Sequence, residues 1–166
     1  MARRVLTPRG DGRSIGMYSA GFEVDPGRLV FVAGQVAMDA NGQVVGAGDF
    51  AAQAAQVYRN LGAVLGEAGC TFREVMKFTT FLTRYEDFAA FAEWRKGAYP
   101  TLFPDGVYPP NTGVVVQSLA RPGLLLEVEA IAVKPGRPAA ARTAPPARRP
   151  ARKGAKRPVR RAGRRR

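Results

Sequence analysis

Residues 123–133 read GLLLEVEAIAV, and the natural home for such a run is a buried β-strand. Leu124, Leu125, Leu126, Val128, Ala130, Ile131 and Val133 are apolar, yet Glu127 and Glu129 stand among them. Side chains along a strand alternate faces with period two. Glu127, Glu129, Ile131 and Val133 therefore share one face, and Leu126, Val128 and Ala130 the other. A charge is rarely buried unless it is paired or has chemistry to perform. The fold must bury this strand and still account for two carboxylates on one side of it.

Charge divides the chain in two. Residues 134–166 hold 14 of the 26 Lys and Arg residues and no Asp or Glu. The first 133 residues carry the other 12 against all 13 acidic residues, a net of −1, so the formal +13 belongs to the C-terminal segment. Residues 1–133 are enough for one domain with a proper core. Residues 134–166 are dominated by Pro, Ala, Arg and Lys, with Val159 the only large apolar side chain. Such a segment cannot offset its ordering entropy by burial, and disorder is expected there. Cys70 is the one cysteine, which rules out an intramolecular disulfide and fits a reducing cytoplasm. VLTPRGDG after MARR provides no apolar signal region, and no apolar run is long enough to cross a bilayer. A cytoplasmic protein without membrane contact is the expectation.

Strand patterns cover residues 17–24 and 28–36, and Asp25-Pro26-Gly27 between them suggests a hairpin. Asn41-Gly42 marks a second turn. Over residues 49–68, Phe50, Ala54, Val57, Leu61, Val64, Leu65 and Ala68 recur at helical spacing, with Asp49 placed as N-cap and Gly69 beyond the C-terminus. Residues 75–83 favour a strand, with Met76, Phe78, Thr80 and Leu82 on one face. A second helix starts near Glu86 or Asp87 and ends before Pro100 or Pro104. Strands at 112–119 and 124–133 complete the order β-β-α-β-α-β-β. That pattern implies an α+β domain with both helices on one face of a mixed sheet. The other face then needs a cover, which a trimer or dimer would supply.

The available chemistry is narrow. The absence of histidine removes the commonest general base and every His-based nucleophile pair or metal site. Neither GxGxxG nor GxxxxGK[ST] occurs. No cofactor and no metal are expected. Tyr18, Gln35, Asn111 and Thr112 each have an ordinary reading as a core, turn or interface residue, and Glu127 and Glu129 as hydrogen-bonded rim carboxylates.

The segments VAGQV, AAQAAQVYRNLGAVLGEAG, KFTTFLT and LLLEVEAIAV, taken together and in this order, resemble the RidA (YjgF-type) family of reactive-intermediate deaminases. The resemblance runs over about residues 15–133. It implies a chorismate-mutase-like α+β fold and a homotrimer with sheets facing inward and three clefts between subunits. In active members the cleft hydrolyses 2-imino or enamine acids to 2-oxo acids and ammonia. Carried over residue by residue, the likeness makes Glu127 the water-activating glutamate and keeps Tyr18 beside it. It assigns substrate binding to Ala33, Gly34 and Gln35, in place of Ser-Gly-Gln, and to Asn111 and Thr112. Asn111 stands where the family's P-A-R-[ST] has its carboxylate-forking arginine, and Ala92 where an asparagine is frequent. An arginine fork on a carboxylate is stronger than a neutral hydrogen bond, so the substrate-carboxylate site is expected to be altered.

Two functions follow. One is a hydrolytic imine or enamine deaminase acting through Glu127 and a water. The other is a non-catalytic trimer that binds a small metabolite, with residues 134–166 engaging an acidic partner. That segment reads either as a solvated extension or as an electrostatic, sequence-blind contact for nucleic acid, since it has no aromatic side chain for base stacking.

Overall fold

The computed structural model describes residues 3–7 and 16–135. Six strands and two α-helices occur among them, in the order β1 (Arg3–Leu6), β2 (Gly21–Val24), β3 (Gly27–Val36), α1 (Phe50–Glu67), β4 (Val75–Leu82), α2 (Asp87–Leu102), β5 (Asn111–Val115) and β6 (Leu126–Pro135). β3, β6, β4 and β5 form one sheet in that order, while β1 and β2 make a separate two-stranded ribbon. β4 and β5 run parallel and the other pairs antiparallel, so the four-stranded sheet is mixed. The α+β class and the two-helix layer agree with the sequence reading. The expected disorder of residues 134–166 falls outside the described residues, apart from Lys134 and Pro135, which complete β6.

The expected hairpin between residues 17–24 and 28–36 does not form. β2 pairs with β1, a strand the sequence reading did not foresee, and β3 pairs with β6. β6 is ten residues long and apolar, whereas β2 has four residues, so β3 buries more by joining β6. Gly27 already belongs to that ladder: a Cβ there would lie 2.6 Å from the Lys134 carbonyl oxygen. Upstream, the Ser19 amide and hydroxyl both donate to the Tyr108 carbonyl oxygen, which draws residues 16–20 away from any strand. β5 stops short of the expected 112–119. Its partner β4 ends at Leu82, whose carbonyl accepts the Val116 amide.

α1 forms as its pattern requires. The Asp49 carboxylate accepts from the Ala52 amide at 3.0 Å, and Gly69 turns the chain out of the helix at a φ of +66°. Phe50, Ala54, Val57, Leu61 and Leu65 are buried against the sheet, while Val64 turns toward solvent. Each fully buried leucine contributes about 1.5–3 kcal/mol. The last turn of α1 has no basic residue; instead Lys134 of β6 donates to the Ala68 carbonyl at 2.6 Å and brings positive charge to the helix C-terminus. α2 ends at Leu102, with Pro100 inside its last turn. Phe78, Phe91, Tyr99 and Phe103 fill the space between α2 and the sheet, and the buried Tyr58 and Tyr99 hydroxyls meet at 2.7 Å.

No described helix lies over the opposite sheet face. Leu29, Phe31, Val114 and Ile131 are exposed there or beside it. No described helix is long and apolar enough to cross a membrane.

Gln53 sets where β6 enters the sheet. Its fully buried amide donates to the Gly46 and Gly123 carbonyls and accepts from the Leu125 amide. Gln53→Leu keeps the volume and strands those groups, each unmet bond costing about 1–3 kcal/mol. Urea unfolding should show a loss of about 2–3 kcal/mol, limited by water reaching the loop carbonyls. No measurable loss would show that these three bonds are replaceable.

Candidate active site

The catalytic candidate Glu127 sits beside a break in the sheet. Val32 pairs with Ala130, but Gln35 pairs with Val128, so β3 spends one more residue than β6 over the same interval. The extra residue is a β-bulge at Ala33-Gly34, of the kind that re-aims backbone next to a site. Glu127 packs into the space that a side chain at position 34 would occupy. A Cβ on Gly34 would lie 1.7 Å from the Glu127 Oε1, so any side chain there would push the glutamate out of its present seat. Gln35 closes the bulge by donating from Nε2 to the Ala33 carbonyl at 3.1 Å.

The two glutamates differ in environment. Glu127 is half-buried and Glu129 exposed. Neither forms an ion pair among the described residues. Burial raises the Glu127 carboxyl pKa above its ordinary value, and the charge of Glu129 adds to the rise. Farther along the same face, a shallow cavity of about 340 Å³ is bordered by Phe31, Ala33, Lys77, Thr79 and Glu129. Lys77 donates to the Thr112 hydroxyl, and burial lowers the pKa of its amine.

Tyr18 and Asn111 lie elsewhere. They border a pocket of about 380 Å³ with Thr80, Phe88, Ala92 and Arg95. Asn111 is registered opposite Phe78, and its Oδ1 accepts from Thr80 Oγ1 at 3.0 Å. Phe78 and Thr80 point to the helix side of β4, whereas Phe81, opposite Glu127, points to the open side. Within one protomer the sequence-derived residues therefore fall into two groups. Glu127, Ala33, Gly34 and Thr112 belong to the open face, with Gln35 at the bulge. Tyr18 and Asn111 belong to the helix side.

Sequence reading missed Lys77, Thr80 and Arg95. Arg95 carried a signal, because Phe88, Ala92 and Arg95 are spaced to share one helix face. Its guanidinium lies 4.5 Å from the centre of the Phe91 ring, and its Nε is buried without a hydrogen-bond partner. Arg121 instead joins two loops, donating to the Gly42 carbonyl at 2.9 Å. Among the described residues no group of three or more acidic or thiol side chains is placed to hold a metal ion.

The Endoribonuclease L-PSP family model matches residues 11–134. The 2-iminobutanoate/2-iminopropanoate deaminase of Mus musculus is 37% identical over 133 residues, covering 80% of this chain and 92% of the relative. The chain belongs to the RidA/YjgF family. A crystal structure of the Rid-family protein YyfB from Yersinia pestis superposes with a TM-score of 0.69 at 38% identity, covering 81% of this chain and all of that one. E. coli TdcF with bound serine superposes with a TM-score of 0.58 at 30% identity, covering 79% of this chain and 98% of that one. The RidA/YjgF likeness thus spans the α+β domain and stops where the basic segment begins.

The Glu127 environment has a pH signature. Its folded pKa lies above its unfolded one, so between the two values the folded chain holds the extra proton. Stability falls as pH rises through that window, and the penalty is complete above it. Glu127→Gln should raise Tm at about pH 7 and leave it unchanged at about pH 3, where both forms are neutral. An equal gain at both pH values would assign the effect to packing instead of charge.

Proposed function

We propose that this protein hydrolyses small 2-imino and enamine acids to 2-oxo acids and ammonia. The observation that carries the reading is the Glu127 carboxylate. It is half-buried, raised in pKa, pressed against a glycine bulge and free of any cation partner among the described residues. A carboxylate with a raised pKa is a better base near neutral pH. The family relatives named as imine deaminases support the same chemistry.

The reaction needs one water and no cofactor. Glu127 accepts a hydrogen bond from the water and takes its proton as the oxygen bonds to the imine carbon. The C=N π electrons move to nitrogen, which receives that proton back from Glu127. In the tetrahedral intermediate Glu127 then passes the hydroxyl proton to the nitrogen, the C–N bond breaks as the carbonyl forms, and ammonia leaves. An enamine enters the same path after protonation at carbon.

Assembly would complete the site. Leu29 and Phe31 are 60% and 72% exposed on the open face, and Val114 and Val115 are exposed on the edge strand β5. An apolar sheet face of this kind is ordinarily covered. We propose that three protomers cover one another's open faces, which would bring Glu127 of one protomer toward the helix-side pocket of the next.

The catalytic test is a coupled assay in which a pyridoxal-phosphate dehydratase generates the imine and 2-oxo acid release is followed. Glu127→Gln should lower kcat/KM by about a hundred-fold or more, the range for a lost general base. Wild-type turnover that is indifferent to Glu127 would refute the assignment. For assembly, light scattering of the full chain should give three copies, and Leu29→Asp should yield folded monomers without deaminase activity. An active monomer would rule out the shared site.

A further inference from the structure

The helix-side pocket contains a full positive charge with no negative charge beside it. Arg95 borders it from α2, and none of its lining residues is acidic. The nearby acids of α2 are engaged elsewhere: Glu93 pairs with Lys96 at 2.6 Å, and Asp87 with Arg84 at 2.8 Å. Arg95 forms no ion pair among the described residues, and its Nε is buried with no acceptor. A guanidinium offers five donors in a fixed fork, and desolvating one without an acceptor is costly.

Its orientation is fixed by stacking. The guanidinium carbon lies 4.5 Å from the Phe91 ring centre and 5.8 Å from that of Tyr99. Apart from the hydrogen bond Arg95 shares with Tyr99, the stacked guanidinium keeps its N–H groups for an acceptor arriving edge-on, and a carboxylate is the planar two-oxygen acceptor that matches the fork. The same pocket presents a second donor. The Asn111 side-chain oxygen is occupied by the Thr80 hydroxyl, which leaves the amide N–H groups as what Asn111 can offer a ligand. Phe88 and Phe91 supply apolar wall, and the volume of about 380 Å³ suits a small molecule.

We propose that Arg95 is the carboxylate-binding residue of this protein, taking small 2-oxo and 2-imino monocarboxylates with Asn111 as a neutral second donor. The charge missing from position 111 is thereby supplied from α2. The imino part of this substrate class rests on the deaminase reading above, whereas the carboxylate contact does not. Arg95 also lies close to the buried Tyr58–Tyr99 hydroxyl pair, whose pKa values burial raises and Arg95 opposes, so a purely packing role is the rival explanation.

Calorimetric titration of the full-length protein with 2-oxobutanoate, and with its neutral amide 2-oxobutanamide, separates the two. Wild type should prefer the acid. Arg95→Met should weaken 2-oxobutanoate by about ten- to a hundred-fold, the loss of one charge-assisted fork. Arg95→Lys, which keeps charge but not the fork, should fall between. The amide should bind all three proteins alike. Unchanged 2-oxobutanoate binding by Arg95→Met, equal losses of acid and amide, or a wild type with no preference for the acid would each overturn the proposal. The imine assay distinguishes this failure from that of the deaminase reading. Glu127-dependent turnover with KM indifferent to Arg95→Met would sink the clamp alone. Arg95-dependent binding of 2-oxobutanoate without imine turnover would support the clamp and sink the deaminase alone.

Discussion

Everything in this domain is positioned from β6. It is one of the two central strands, held between β3 and β4, and its Leu126, Val128, Ala130 and Ala132 form the floor on which the helices rest. Lys134 at its far end closes the C-terminus of α1, and Gln53 of α1 holds the loop that leads into it. One strand is therefore fastened at both ends to one helix. Glu127 inherits that rigidity, because its Cα is fixed by two ladders at once, opposite Val36 and Phe81. A group that must hold a water in a set direction benefits from a mounting that cannot swing.

The sheet also separates charges. On the open side stand two carboxylates and one lysine, and on the helix side an arginine stacked on aromatic rings. Had Glu127 and Arg95 shared a cavity in one protomer, they would have drawn together as an ion pair and each would have been lost to a ligand. Four-stranded geometry keeps them on opposite faces. In the proposed trimer they would meet only across a subunit boundary, with substrate between them.

Much of this was legible in the chain. α1 was readable because its apolar positions recur over five turns between a capping Asp49 and Gly69, and β4 because Met76, Phe78, Thr80 and Leu82 alternate without a break. The hairpin reading failed because Asp25-Pro26-Gly27 is a local signal, while the preference of β3 for β6 is a contact about a hundred residues away in sequence. Local turn chemistry carries no information about a distant competitor. The partition of site residues between faces was hidden for the same reason, since it depends on the register of three strands. Arg95 escaped notice because α2 has few buried side chains, Asp87, Phe91 and Tyr99, so its pattern does not announce which face is inward. A basic residue on such a helix reads as solvated.

The fit of Glu127 against Gly34 has a consequence for how the chain finds its fold. Strands of alternating character can pair one residue out of step, and each such slip reverses every side chain. Here a slip of β3 by one place would bring Ala33 or Gln35 to the glycine's position, where a Cβ would force the Glu127 side chain to move. The contact therefore works as an index mark. It favours the correct alignment, because only there does Glu127 keep its present seat, so the residue proposed for catalysis also marks the register of the sheet that carries it.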